Sequence, residues 1–164
     1  MVTNFHDLYQ KYAQEVYRFA YWLCGDSQDA EDITSETFIR AMTSAEDIRT
    51  ETVKGFLLTI ARNLAFKRKH QSKRFTDLTS NLSAPYNGPE QTTETNIDLH
   101  GILGFLQTLA ESDRAALLMH TQEDMSYEEI SRVLGVSVTA ARVKVHRTRI
   151  KLNEYRLKVE ESIS

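Results

Sequence analysis

Residues 126–152 read SYEEISRVLGVSVTAARVKVHRTRIKL, and the order of residue types in this stretch dictates its local structure. Ser126 followed three residues later by Glu129 has capping-box spacing, which satisfies amide donors left unpaired at a helix start. The spacing predicts a helix from Tyr127 to Leu134, closed by Gly135, a residue free to adopt the positive φ that ends a helix. Ser137 then supplies an oxygen to cap a second helix. Two helices joined through a tight glycine turn form the helix-turn-helix pattern.

The second of these helices has two unlike faces. Ala141, Val145, Thr148 and Leu152 recur at helical spacing, whereas Arg142, Lys144, His146, Arg147 and Arg149 project elsewhere. From Val138 to Lys158 seven basic residues (142, 144, 147, 149, 151, 156, 158) stand against Glu154 alone, in a chain of formal net charge -3. Such a concentration suits a phosphate backbone. A charge run is ordinarily a solvated surface; the capped turn, the small-residue seam and the basic face together favour nucleic acid.

A length of 164 residues allows one domain or two small ones, and 41% hydrophobic residues suffice to build cores. No run approaches the ~20 apolar residues that span a bilayer, and MVTNFHDLYQKY lacks the basic start and apolar middle of a signal peptide. The expected location is therefore cytoplasmic. Cys24 is the sole cysteine, which excludes an internal disulfide and reads as a buried small hydrophobe. No Cys/His cluster has zinc-ligand spacing, and no nucleophile–base pair or phosphate-binding glycine loop is present, so neither metal, cofactor nor enzymatic activity is expected. With two prolines, six glycines and few alternating β-branched runs, the chain is predicted to be all-α.

Charge is segregated along the chain. Residues 1–48 carry nine acids and three bases, 62–74 six bases and no acid, and 75–137 ten acids and two bases. Two positive islands in an acidic protein suit a molecule that touches nucleic acid at two places and another partner elsewhere. Phe5, Leu8, Tyr12, Val16, Phe19 and Leu23 lay one stripe along a first helix that Gly25 ends. Asp26 or Ser27 is placed to cap a second helix, where Ala30, Ile33, Thr37 and Ala41 face inward. Asp32 and Glu36 then stand four apart on its outside, a repulsion that points to a basic partner. Thr43–Thr52 reads as a loop, followed by a helix burying Phe56, Leu57, Ile60 and Leu64. The Ser/Thr/Asn/Pro/Gly mix from about Gln71 to Thr95 reads as a linker, after which helices are expected at Ile97–Leu109 and Ser112–His120.

DAEDITSETFIRA (29–41), GFLLTIARNLA (55–65), the irregular linker and the helix-turn-helix, in this order and spacing, resemble the extracytoplasmic-function (ECF) sigma factors of the sigma-70 class. The resemblance implies two helical domains, region 2 (1–72) and region 4 (97–164), joined by a linker (73–96). It implies docking of the acidic helix, through Asp29, Asp32, Ile33, Glu36, Thr37 and Phe38, on a coiled coil of the largest subunit of core RNA polymerase. It places Lys54, Arg62, Asn63 and Lys67 on single-stranded DNA of the minus-ten promoter element. The recognition helix would enter the major groove of the minus-thirty-five element through Ser137, Thr139, Arg142, Val143, Lys144, His146 and Arg147, with Arg114 and Arg149 steadying the backbone. Arg142 and Arg147 are the expected base readers, since arginine donates two bonds to guanine O6 and N7. An anti-sigma factor is a further expected partner. The chain departs from the family's pattern at Ser35, where Gln is usual, at Phe56, where Trp is common, and at Ala140 and Val143 in place of small polar residues. Two other functions compete: a sigma mimic that titrates an anti-sigma factor, and a stand-alone helix-turn-helix regulator. The first has little need of a basic final helix, and the second leaves the acidic helix unexplained.

Overall fold

The computed structural model describes residues 5–43, 52–78 and 94–163. These form helices α1 (Phe5–Cys24), α2 (Ser27–Thr43), α3 (Val53–Leu78), α4 (Glu94–Thr108), α5 (Glu111–Thr121), α6 (Tyr127–Leu134) and α7 (Val138–Ile163), and no strand occurs among the described residues. The all-α expectation holds.

Helices α1, α2 and α3 pack as a three-helix unit around Val16, Phe19, Leu23, Ile33, Phe38, Leu57 and Leu58, each at most 2% exposed. The stripe read along α1 turns inward from Val16 onward, while Phe5 stays exposed and meets the Phe38 ring edge-on at 6.3 Å between centroids. Gly25 ends α1 with φ 76°, and the Asp26 carboxylate accepts from the amides of Gln28 and Asp29 to open α2. Helices α5, α6 and α7 form a second unit, whose interior includes Leu117, Met119, Ile130, Ala141 and Val145.

Two boundaries differ from the sequence expectation. Helix α3 continues to Leu78, past the start set for the linker, because neither proline nor glycine falls between Phe56 and Leu78 to stop it. Helix α4 starts at Glu94, so the remainder of the expected linker, 79–93, lies outside the described residues, as does 44–51 of the expected loop.

The two units dock. Buried side chains of both belong to one continuous core, and polar groups bridge the seam. Arg114 of α5 donates to the carbonyl of Leu23 at the end of α1, 2.9 Å away, and Gln107 of α4 donates to the same oxygen at 3.1 Å. The α1 C-terminus is thus satisfied by side chains of α4 and α5.

Candidate nucleic-acid interface

The turn that presents the basic helix is built as its sequence predicts. The Ser126 hydroxyl accepts from the Glu129 amide at 3.2 Å, Gly135 closes α6 in the left-handed conformation (φ 68°), and the Ser137 hydroxyl accepts from the Ala140 amide at 3.0 Å to start α7. Ala141, Val145 and Thr148 are buried and Leu152 is half-buried, which fixes the rotation of α7. Its outer face then carries Thr139, Arg142, Val143, His146, Arg149 and Lys151, all exposed. Arg142 lies over the Tyr127 ring, 5.3 Å from its centroid, and that ring stacks in turn on His120. This stack gives the guanidinium a platform at the entrance to the turn.

Lys144 and Arg147 sit differently. Arg147 donates to both Asp113 oxygens, at 2.9 and 3.0 Å, and Lys144 reaches Ser112 at 3.2 Å and Asp113 at 3.4 Å. Asp113 is almost fully buried, whereas the Arg147 side chain is half exposed, so its guanidinium meets the protein on one edge and solvent on the other.

Arg114 is corrected outright. The expectation that it steadies a DNA backbone meets a side chain only 2% exposed, whose guanidinium donates to the carbonyls of Leu106, Leu23 and Leu109 at 2.7, 2.9 and 3.0 Å. Burial lowers its pKa from the ordinary arginine value, opposed by nearby Glu111. It is a structural arginine closing the C-terminal ends of α1 and α4.

On the first unit, Asn63 and Lys67 are exposed along α3. Lys54 and Arg62 are half-buried and already paired. The Lys54 ammonium donates to the Glu123 carbonyl at 2.7 Å and lies 3.5 Å from that residue's carboxylate and 3.8 Å from Glu15. Arg62 makes a two-pronged bond to Glu111 at 2.8 and 2.9 Å. Glu123 itself is fully buried and also accepts both prongs of Arg18, at 2.9 and 3.0 Å, a bond that raises the Arg18 pKa.

On α2 the expected docking residues divide. Asp32 is exposed and Asp29 and Glu36 are half-buried, but Ile33, Thr37 and Phe38 are fully buried in the three-helix core, which removes their side chains from any docking surface. Exposed Ile39 and Met42 lie along the same side as Asp32 and Glu36, and sequence reasoning missed them because a lone apolar residue on a polar helix carries no periodic signal. The acidic pair is not unrelieved either: Arg40 donates to Glu36 at 3.0 Å, and Arg68 of α3 lies 3.4 Å from both Asp29 and Asp32. Asp29 keeps a raised pKa, chiefly through burial and then through Asp26, with Arg68 opposing.

A helical protein that offers the outer face of a capped helix-turn-helix, rich in arginine, with an acidic helix on a separate unit, defines the class of helical DNA-binding transcription proteins. Comparison with known proteins narrows the class. The sigma-70 region 2 family matches residues 8–75 and the sigma-70 region 4 family residues 100–152. The ECF RNA polymerase sigma factor SigL of Mycobacterium tuberculosis is 30% identical over 85% of this chain and 81% of its own length. The ECF RNA polymerase sigma factor SigE of Mycolicibacterium smegmatis is 34% identical over 94% of this chain, which spans 62% of that relative. A solved complex of the sigma factor RpoE with the anti-sigma factor NepR from Bartonella quintana shares the fold, with TM-score 0.78 over 96% of this chain and 99% of the other at 22% identity. The chain belongs to the sigma-70 family, among its ECF sigma factors. It is a transcription initiation factor and not an enzyme. Among the described residues no helix is long and apolar enough to cross a membrane.

Proposed function

We propose that this chain binds core RNA polymerase in the cytoplasm and directs it to promoters that carry paired minus-ten and minus-thirty-five elements. The observation that carries this reading is the rotation of α7: its buried seam leaves Arg142, His146, Arg149 and Lys151 outward on a helix whose N-terminus is anchored by Ser137. Arg142 and Arg147 read base edges in the minus-thirty-five major groove, and Ser137, Thr139, Val143, Lys144, His146 and Arg149 complete that surface, with Arg149 on phosphate. Lys54, Arg62, Asn63 and Lys67 on α3 hold the melted minus-ten strand. Asp29, Asp32 and Glu36, joined by Ile39 and Met42, form the polymerase-docking side of α2, where an acidic rim around apolar side chains suits a basic helical partner. An anti-sigma factor regulates the chain; the Bartonella relative was solved with one. The domain division is region 2 at 1–72, a connecting segment at 73–96 and region 4 at 97–164.

Run-off transcription with purified core polymerase tests the reading. Added to core over a broad promoter library, the protein is expected to select templates sharing two motifs at one fixed spacing. Failure to initiate anywhere, with the protein folded and bound to core, overturns it.

A further inference from the structure

Asp113 stands in the first turn of α5, and its carboxylate holds two cations that belong to α7. The side chain is only 8% exposed, and the positively polarised start of α5 favours its charge. Arg147 meets it through a single nitrogen: Nη2 donates to both carboxylate oxygens, at 2.9 and 3.0 Å. Lys144 flanks the same group, 3.4 Å from Oδ1, and also donates to the Ser112 hydroxyl at 3.2 Å.

Which nitrogen is engaged decides what the guanidinium can still do. Arginine offers two forks, Nη1 with Nη2 and Nε with Nη2, and both include Nη2. A two-pronged contact with guanine needs a whole fork, one prong on N7 and the other on O6. A carboxylate lodged against Nη2 obstructs both forks, because a guanine oxygen brought to that nitrogen meets two anionic oxygens already there. What remains is Nη1 and Nε, whose N–H bonds diverge and cannot grip one base together. We propose that Asp113 is a positioning residue that sets base selectivity: by holding Nη2 it restricts Arg147 to a single-pronged contact, so that either purine is accepted where an unheld arginine would demand guanine. A lone donor is satisfied by N7, which adenine and guanine share. The inference rests on the assignment of Arg147 to the minus-thirty-five element made above.

Swinging Arg147 away would leave the Asp113 carboxylate with Lys144 alone, and breaking a pair around so withdrawn a charge is costly. Buried Val145 and Thr148 fix the α7 backbone on either side of Arg147, so the side chain cannot escape by rotation of the helix. Arg142 differs. Its guanidinium lies over the Tyr127 ring, and no carboxylate holds it among the described residues, so both of its forks stay open to guanine.

The test measures binding of holoenzyme, reconstituted from the full chain and core polymerase, to promoters randomised through the minus-thirty-five element. The guanine-to-adenine ratio is read at every position, and Arg147→Ala and Arg142→Ala mark the position that each arginine reads. At the Arg147 position the unaltered chain is expected to accept guanine and adenine within about threefold of each other. Asp113→Asn, which keeps the shape and removes the charge, is expected to raise the preference for guanine there about tenfold and to leave the Arg142 position unchanged. Asp113→Ala gives the same shift and takes its place if the first variant fails to fold. Arg147→Ala combined with Asp113→Asn selects as Arg147→Ala alone does. A change of ratio confined to one position is not something that lost stability would produce. An unchanged ratio in both Asp113 variants overturns the inference, as does an unaltered chain that already demands guanine at the Arg147 position. So does an equal shift at the Arg142 position, or a loss of discrimination like that of Arg147→Ala. If Arg147→Ala alters no base preference while both promoter elements are still selected, the Arg147 assignment and this inference fall and the function stands. If the holoenzyme selects no minus-thirty-five sequence at all, the proposed function falls as well.

Discussion

At Glu123 a carboxylate with no solvent exposure is sustained by an arginine from α1 and a lysine from α3, which makes one loop residue the electrostatic pivot of the molecule. Glu123→Ala leaves Lys54 and Arg18 facing a void; because the Arg18 side chain is 42% exposed and can turn to water, the loss is expected near ~3 kcal/mol, the lower end for a broken buried pair, by urea unfolding. A loss under ~0.5 kcal/mol would mean that the pair is solvated. Arg114→Leu strands three carbonyls and is expected to cost ~3 kcal/mol in the same assay, while the salt dependence of promoter binding by the holoenzyme stays unchanged. A shallower salt slope would return Arg114 to the DNA surface. Cys24 titrates at about 11, pushed up first by burial and then by the Asp29 charge, against the weaker pull of Arg114 and Arg68. Its alkylation rate in the folded chain is expected to climb through pH 10 to 11, where a free thiol has already levelled off, since the thiolate is the reacting form.

Among the elements, the turn between α6 and α7 was legible residue by residue, because each of its signals is local: a hydroxyl three residues ahead of its amide, a glycine at the left-handed position and a second hydroxyl. Nothing lies within 4 Å of a Cβ built on Gly135, so Gly135→Ala costs only backbone strain, expected at ~1–2 kcal/mol in thermal unfolding. A neutral result would show that φ relaxes there. Helix α2 was legible in part. Its cap and its inner residues Ala30, Ile33 and Thr37 follow from spacing, whereas relief of Asp32 by Arg68 comes from another helix and has no counterpart in the local pattern. The length of α3 was underestimated for a related reason: polar composition mimics a connector, yet Lys, Arg and Gln are good helix formers and no breaker intervenes.

For the whole molecule, both units could be drawn from the sequence, but not their docking. The bonds that join them link residues 49 and 105 positions apart, and an acid such as Glu111 reads as a helix-start residue until Arg62 is seen beside it. The resemblance alone assigns Arg114 to the DNA backbone, and a lone arginine in an apolar helix gives no sign that the carbonyls of Leu106 and Leu109, nearby in the chain, and of Leu23, 91 positions away, converge on it. What the sequence did disclose was the direction in which α7 faces, since its small-residue seam fixes the opposite side by geometry alone. Arg142→Ala is expected to weaken holoenzyme binding by ~1–3 kcal/mol and to relax selection at one minus-thirty-five base, as read by binding to a library randomised in that element. The most direct measurement of the central claim is footprinting of the reconstituted holoenzyme on a selected promoter by hydroxyl radicals and permanganate. Protection over the minus-thirty-five element together with permanganate-reactive thymines near minus-ten is predicted; protection at one element alone, with no strand opening, would contradict it.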